Sequence, residues 1–116
     1  MISVLLIESK QCDREIFPIL LGKMGFQLIV SKSPREAYVI LKKVTASPID
    51  TILVSTETID NEYLDFINWA REFYPEIRII ATSCRTSDKK ICETCDIPFV
   101  QKPITNILDL GQILKN

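Results

Sequence analysis

Short apolar runs alternate along the chain with segments in which apolar side chains recur every three or four residues. Ile2 to Ile7 is a nearly unbroken apolar run, typical of a strand buried on both faces of a parallel sheet. The segment from Asp13 to Met24 has helical periodicity; Pro18 near its first turns can kink or delay it, and Gly25 can end it. The apolar face predicted for this helix consists of Ile16, Leu20 and Met24, with Phe17 and Leu21 alongside.

Four more strand–helix pairs follow the first. Ser33-Pro34 with Glu36 is a strong helix start, since it combines an N-cap serine, a first-turn proline and a capping-box glutamate. Gly111 weakens the last helix by about 1 kcal/mol relative to alanine. The strands are predicted at residues 26–30, 51–54, 77–81 and 99–101. The helices are predicted from the Ser33 cap to Val44, over 61–73 after an Asp60 cap, from Thr86 or Ser87 to Thr94, and after a Thr105 cap. Their inward-facing side chains are predicted to include Ala37, Tyr38, Ile40, Leu41, Val44, Leu64, Ile67 and Ala70.

This alternation predicts one α/β domain over residues 1–116. Repeated βα units favour parallel strands joined by right-handed crossovers, with helices on both faces of a doubly wound sheet. Such sheets place their functional sites where the strands end. The side chains at those strand ends are Glu8 and Ser9, Ser55 to Glu57, Thr82 to Cys84, and Lys102.

The composition excludes several classes of function. The 14 basic and 15 acidic side chains give a net charge of −1, which argues against a nucleic-acid-binding module. The apolar runs are too short to span a bilayer, and the first residues lack the features of a signal peptide, so we expect a cytoplasmic protein. The absence of histidine excludes Ser-His-Asp and Cys-His catalysis and histidine-ligated zinc. Three glycines are too few for a phosphate-binding loop, and we expect no cofactor.

Cys92 and Cys95 form a CxxC motif, which leaves a thiol redox protein as an alternative from a different class. A reactive CxxC lies at a helix N-terminus, where the helix dipole stabilises a thiolate. Here the pair falls at the C-terminal end of the fourth predicted helix, where the dipole opposes a thiolate. Cys12 and Cys84 are predicted at the opposite end of the domain, which argues against a four-cysteine metal site.

Four stretches in order resemble the receiver domain of bacterial response regulators, the CheY-like fold. They are MGFQLIVSKSPREAYVILKK, SPIDTILVSTETID, IRIIATSC and FVQKP. The resemblance covers essentially the whole chain. It implies a flavodoxin-like, five-stranded parallel sheet in the order 2-1-3-4-5.

The resemblance also implies the location of a phosphorylation site. In that family an acidic pair after the first strand and an aspartate after the third hold Mg²⁺, and the aspartate accepts a phosphoryl group. A hydroxyl and a lysine contact the phosphoryl oxygens, and the lysine precedes a proline for which we expect a cis peptide. The matching residues here are Glu8 and Ser9 for the acidic pair, Ser55 for the acceptor, Thr82 for the hydroxyl, Lys102, Pro103, and Phe99 for the switch aromatic.

Serine replaces two of the three carboxylates, at positions 9 and 55. One glutamate with two hydroxyls carries too little charge to dehydrate and hold Mg²⁺, so no metal is expected. Ser55 lacks a histidine to activate it. We therefore expect a non-enzymatic, degenerate pseudo-receiver in which Lys102 pairs with Glu8, directly or through water. Glu57 is expected to be a solvated loop residue.

The sequence leaves one alternative within this family, an atypical phospho-receiver of a two-component system that uses Glu8, Ser55 and Glu57. For the pseudo-receiver, the expected partner is a protein such as a histidine kinase or an output domain. The resemblance also implies that a second copy can bind the face formed by the fourth helix, fifth strand and fifth helix. That face comprises residues 88–95, 99–101 and 105–115.

Overall fold

The computed structural model describes residues 2–43, 49–57, 62–104 and 107–115, in which five strands alternate with five helices. The strands are β1 (Ser3–Ile7), β2 (Gln27–Ser31), β3 (Thr51–Ser55), β4 (Arg78–Ser83) and β5 (Phe99–Gln101). The helices are α1 (Gln11–Lys23), α2 (Pro34–Lys43), α3 (Glu62–Phe73), α4 (Thr86–Thr94) and α5 (Ile107–Lys115). The predictions for Val44, the Asp60 cap, a helix start at residue 61 and the Thr105 cap lie outside the described residues.

The strands form one parallel sheet in the order β2-β1-β3-β4-β5, which confirms the predicted α/β architecture. Each crossover helix covers a face of the sheet, so the inner strands are buried on both sides, and β1 and β3 are buried along their whole length. The register sets Ser55 beside Thr82, and Thr82 beside Val100. The strand ends that carry the predicted site therefore lie together at one edge.

The pleat of β1 divides the core into two layers. Leu5 and Ile7 pack in the cluster formed with α2, α3 and α4, whereas Val4 and Leu6 pack in the cluster formed with α1 and α5. Alternate residues of a strand point to opposite faces, which is why a continuous apolar run is needed here. As predicted, Ala37, Leu41, Ile67 and Ala70 are buried, and Tyr38, Ile40 and Leu64 pack partly buried against the same core.

Helix α1 differs from its prediction in two respects. It begins at Gln11, so Pro18 lies inside the helix and not near its first turns. Its buried residues are Phe17 and Leu21, whereas Ile16 is 52% exposed and Leu20 is 36% exposed. The predicted apolar face is therefore rotated. Two apolar stripes run along this helix, and the sheet buries the one that contains Phe17.

The end of α1 was predicted correctly. Gly25 has a φ of 94°, in the left-handed region that glycine reaches without steric cost. Its N–H bonds to the Gly22 carbonyl, and the N–H of Phe26 bonds to the Leu21 carbonyl, the hydrogen-bond pattern of a Schellman motif. A Cβ at Gly111 would overlap the end of the flexible Met24 side chain, which would have to move.

Candidate functional site

Lys102, which follows β5, points into the carboxyl edge of the sheet and is only 7% exposed. Its Nζ lies 2.6 Å from Oε1 of Glu8, which follows β1 and is 1% exposed. Its peptide bond to Pro103 is cis. The expected pair between Lys102 and Glu8 is therefore present as a direct, buried ion pair.

Two further carboxylates surround the same ammonium. Asp13, in the first turn of α1, places Oδ2 at 3.3 Å from the Lys102 Nζ, and Glu57, after β3, places Oε1 at 3.4 Å. Burial acts to lower the pKa of Lys102, but its bond to Glu8 and the charges of Glu8, Glu57 and Asp13 outweigh it and raise the pKa. Lys102 is therefore held as a cation among three carboxylates.

Glu57 is not the solvated loop residue that the sequence predicts, since its side chain is only 12% exposed. Its Oε2 accepts a bond from Lys10 Nζ at 3.1 Å and one from Cys84 Sγ at 3.0 Å, while the Cys84 N–H bonds to its Oε1. Burial acts to raise the pKa of Glu57, but these bonds and the charge of Lys102 lower it to about 2. Glu57 thus joins the loops after β1, β3 and β4.

The two serines of the site differ in their surroundings. Ser55 is 1% exposed, and its Oγ accepts a bond from Lys102 Nζ at 3.4 Å. Ser9 is exposed, and its hydroxyl donates to the Glu57 carbonyl at 3.5 Å.

Thr82 is 2% exposed beside Ser55, and Phe99 is partly buried against the core on the side of α2, α3 and α4. The edge thus brings Glu8, Ser55, Thr82 and Lys102 together.

Asp88 organises a second polar cluster next to this edge, and its side chain is only 6% exposed. Its Oδ2 accepts bonds from Thr56 Oγ1 at 3.0 Å, Ser83 Oγ at 2.7 Å and Arg85 Nε at 2.7 Å. Arg85 also donates to the Thr56 carbonyl. Asp88 therefore fixes the loop after β4 to the end of β3.

Sequence reasoning missed three residues of this edge as members of the site: Asp13, Lys10 and Asp88. Asp13 and Asp88 lie in the first turns of α1 and α4, where an acidic residue has an ordinary helix-dipole explanation. Lys10 resembles any solvated loop lysine in the sequence. Nothing in the sequence distinguishes these residues, because their partners are distant along the chain.

The CxxC motif has the geometry that the sequence predicts. Cys92 is buried near the C-terminal end of α4, and Cys95 is exposed just after it. Burial raises the pKa of Cys92 to about 11, with the charge of Asp88 adding to the effect. A thiol with so high a pKa is a weak nucleophile at neutral pH.

Comparisons with known proteins relate the chain to a fold. A receiver domain protein from Clostridium thermocellum superposes with a TM-score of 0.86 at 17% identity, over 100% of this chain and 93% of that chain. The chain has the CheY-like receiver fold. The response regulator TrrA from Thermotoga maritima, solved in complex with Mg(2+)-BeF, gives a TM-score of 0.82 at 19% identity, covering 99% of this chain and 97% of that one. A CheY-like receiver domain from Methylobacillus flagellatus gives a TM-score of 0.79 at 24% identity, over 99% of this chain and 97% of that chain.

No model of a known protein family matches the chain, and no curated protein sequence matches it. At these identities the solved structures show the receiver fold and leave the chemistry to be argued from this chain's own residues. Within the described part of the chain, no helix is long and apolar enough to cross a membrane.

Proposed function

We propose that this chain is a signal-transduction pseudo-receiver that acts through contact with a protein partner, without aspartyl phosphorylation and without enzymatic activity. The observation that carries the proposal is the contact between Lys102 and Glu8 at 2.6 Å, with the Ser55 hydroxyl as an uncharged neighbour. This contact supports a carboxyl edge of the sheet whose conformation is fixed by the charges of its own side chains.

Ser55 is a poor phosphoryl acceptor in these surroundings. A serine hydroxyl becomes nucleophilic when a nearby base takes its proton, and the chain contains no histidine. The neighbour that bonds to Ser55 is the Lys102 ammonium, which is a donor and cannot act as a base while charged. The carboxylates nearby are themselves bonded to Lys102.

The residues at the edge do not fit the Mg²⁺ ion that the fold family implies. Of the two Glu8 oxygens, one accepts from Lys102 Nζ and the other from the Lys10 backbone N–H. The oxygens of Glu57 are engaged by Lys10, Cys84 and Lys102. In the described residues, no three histidine, cysteine or acidic side chains are arranged to hold a metal ion. A hard cation that demands octahedral oxygen ligands would have to displace an ammonium.

One observation favours the alternative, an atypical phospho-receiver that uses Glu8, Ser55 and Glu57. Glu57 turns into the edge and lies 3.4 Å from Lys102, so the edge retains more negative charge than the sequence predicts. Glu57 would then be the carboxylate to test as acceptor or metal ligand.

The expected partner remains a histidine kinase or an output domain. The face formed by α4, β5 and α5 presents both charged and apolar side chains. On α5 the face carries Leu108, which is 65% exposed, and the groove between α4 and β5 is lined by three charged residues, Lys89, Glu93 and Asp96, and three apolar ones, Ile97, Pro98 and Phe99. This mixed composition supports a protein partner at that face.

Two measurements test the pseudo-receiver proposal. After incubation with a small phosphodonor and Mg²⁺, the intact mass of the wild type should be unchanged, and titration with millimolar Mg²⁺ should give no heat of binding. The double variant Ser9→Asp/Ser55→Asp should bind Mg²⁺, whereas its uncharged counterpart Ser9→Asn/Ser55→Asn should not. A phosphorylated wild type whose labelling is lost in Glu57→Gln would establish the alternative instead.

A further inference from the structure

Three of the seven exposed large hydrophobic side chains in the described residues lie on α1. Ile16 is 52% exposed, Ile19 59% and Leu20 36%. Single exposed apolar residues are ordinary on protein surfaces. Residues three and four apart on a helix are neighbours, so these three form one continuous apolar patch. Contiguous exposed apolar surface is a common feature of interaction sites.

The outward face of α1 is centred on Ile19. Successive helical residues are ~100° apart, so Phe17 and Leu21, which are buried, point almost directly away from Ile19. Glu15 and Lys23 lie one turn before and one turn after Ile19, and both are exposed. The face therefore carries an acid at one end, an apolar centre and a base at the other end.

Two positions on either side of Ile19 also complement each other in side-chain size. Ile16 lies three residues before Ile19, and Gly22 lies three residues after it. Gly22 is exposed, and a Cβ built on it meets no atom within 4 Å. A large side chain therefore projects from the face on one side of Ile19, and on the other side no side chain covers the backbone.

We propose that α1 is the interface of a homodimer in which α1 packs antiparallel against α1 of a second copy about a two-fold axis at Ile19. An antiparallel two-fold pairs each position before Ile19 with the equivalent position after it. Glu15 meets Lys23 of the second copy, Ile16 enters the space over the second copy's Gly22, and the two Ile19 side chains stack on each other.

The occupant is a second copy because the face is complementary to itself in both charge and shape. Reversing the direction of one helix makes Glu15 face Lys23 twice, whereas a parallel pairing would set Glu15 against Glu15 and Lys23 against Lys23. Like charges placed opposite each other disfavour that arrangement. This inference does not depend on the phosphorylation state of the edge.

Sedimentation equilibrium of the full chain over a wide concentration range tests the dimer. Ile19→Asp should weaken association at least about tenfold, because it places two carboxylates at the centre of a buried apolar contact. Val39→Asp is the matched control, since Val39 is 50% exposed on α2, and it should leave association unchanged. Circular dichroism melts of both variants establish that they fold.

Charge reversal tests the antiparallel arrangement itself. Glu15→Lys and Lys23→Glu should each weaken the dimer, and the double variant Glu15→Lys/Lys23→Glu should restore it, since each new lysine again meets a glutamate. A wild type that stays monomeric would overturn the proposal. So would a dimer that Ile19→Asp leaves intact, or a double reversal that fails to restore association.

Discussion

The buried contact between Lys102 and Glu8 can be tested by removing either partner. Lys102→Met keeps much of the side-chain length but removes the charge. Among the described residues it leaves the Glu8 carboxylate, which is 1% exposed, with one hydrogen-bond donor, the Lys10 N–H. Breaking one side of a buried ion pair costs about 3–5 kcal/mol, because the other charge stays desolvated. For a domain with about 5–15 kcal/mol of total stability, this is a large loss.

The double variant Glu8→Gln/Lys102→Met separates the pair from general disruption of packing. In the double variant an uncharged amide replaces the carboxylate at position 8, so that carboxylate is no longer left buried without its ammonium. The free energy of unfolding should therefore fall by less than the sum of the decreases in the two single variants. Urea unfolding at neutral pH, followed by circular dichroism, gives all four values of the cycle. The matched control is Lys10→Met, whose ion pair with Glu57 is half exposed and should be worth no more than about 1 kcal/mol.

Two outcomes would contradict the buried pair. A Lys102→Met variant within about 0.5 kcal/mol of wild type at neutral pH, the range of ordinary surface substitutions, would refute the buried pair. Strictly additive single variants would refute it as well.

Two further predictions concern ionisable groups whose pKa values depart from normal. Because the pKa of Glu57 is lowered from 4.5 to about 2, its contribution to stability is present above pH 4.5 and is lost as the pH falls towards 2. Glu57→Gln should therefore flatten the unfolding free energy over that window, by about 1–2 kcal/mol after allowing for solvent screening, in urea titrations at each pH. Cys92, with a pKa of about 11, should resist a thiol reagent at neutral pH in the folded protein, whereas the exposed Cys12 and Cys95 should react quickly. Fast labelling of Cys92 in mass-resolved alkylation would revive the thiol redox hypothesis.

The sequence predicts the fold well because the fold depends on patterns that are local. The apolar run of β1, the Ser33-Pro34 helix start and the Gly25 stop each act over a few residues, and the structure contains all three. The strand order followed from the resemblance to receiver domains and is correct. The pair of Glu8 with Lys102 was predicted from the resemblance, which implies that both lie at the site, and from the need of a partly buried charge for a counter-charge.

The direction of a surface side chain was harder to predict. Helix α1 contains the adjacent apolar residues Ile16 and Phe17 and a similar pair at Leu20 and Leu21, so its periodicity fits two faces equally well. Packing against the sheet buries Phe17 and Leu21, and only the assembled core decides this. Glu57 was misjudged for the same reason, since its orientation is set by Lys10 and Cys84 from two other loops.

The charges at the carboxyl edge show that this receiver fold directs three carboxylates at one ammonium. Serine at positions 9 and 55 removes two negative charges relative to the resemblance, yet Asp13 and Glu57 direct two others at Lys102. The edge therefore keeps three carboxylates, but they converge on an ammonium that belongs to the chain. A metal ion can dissociate and return, whereas Lys102 is covalently fixed beside them. If the proposed function is correct, this negative charge stabilises the fold and does not bind a ligand, so variants that remove Lys102 or Glu57 should change the free energy of unfolding before they change any binding property.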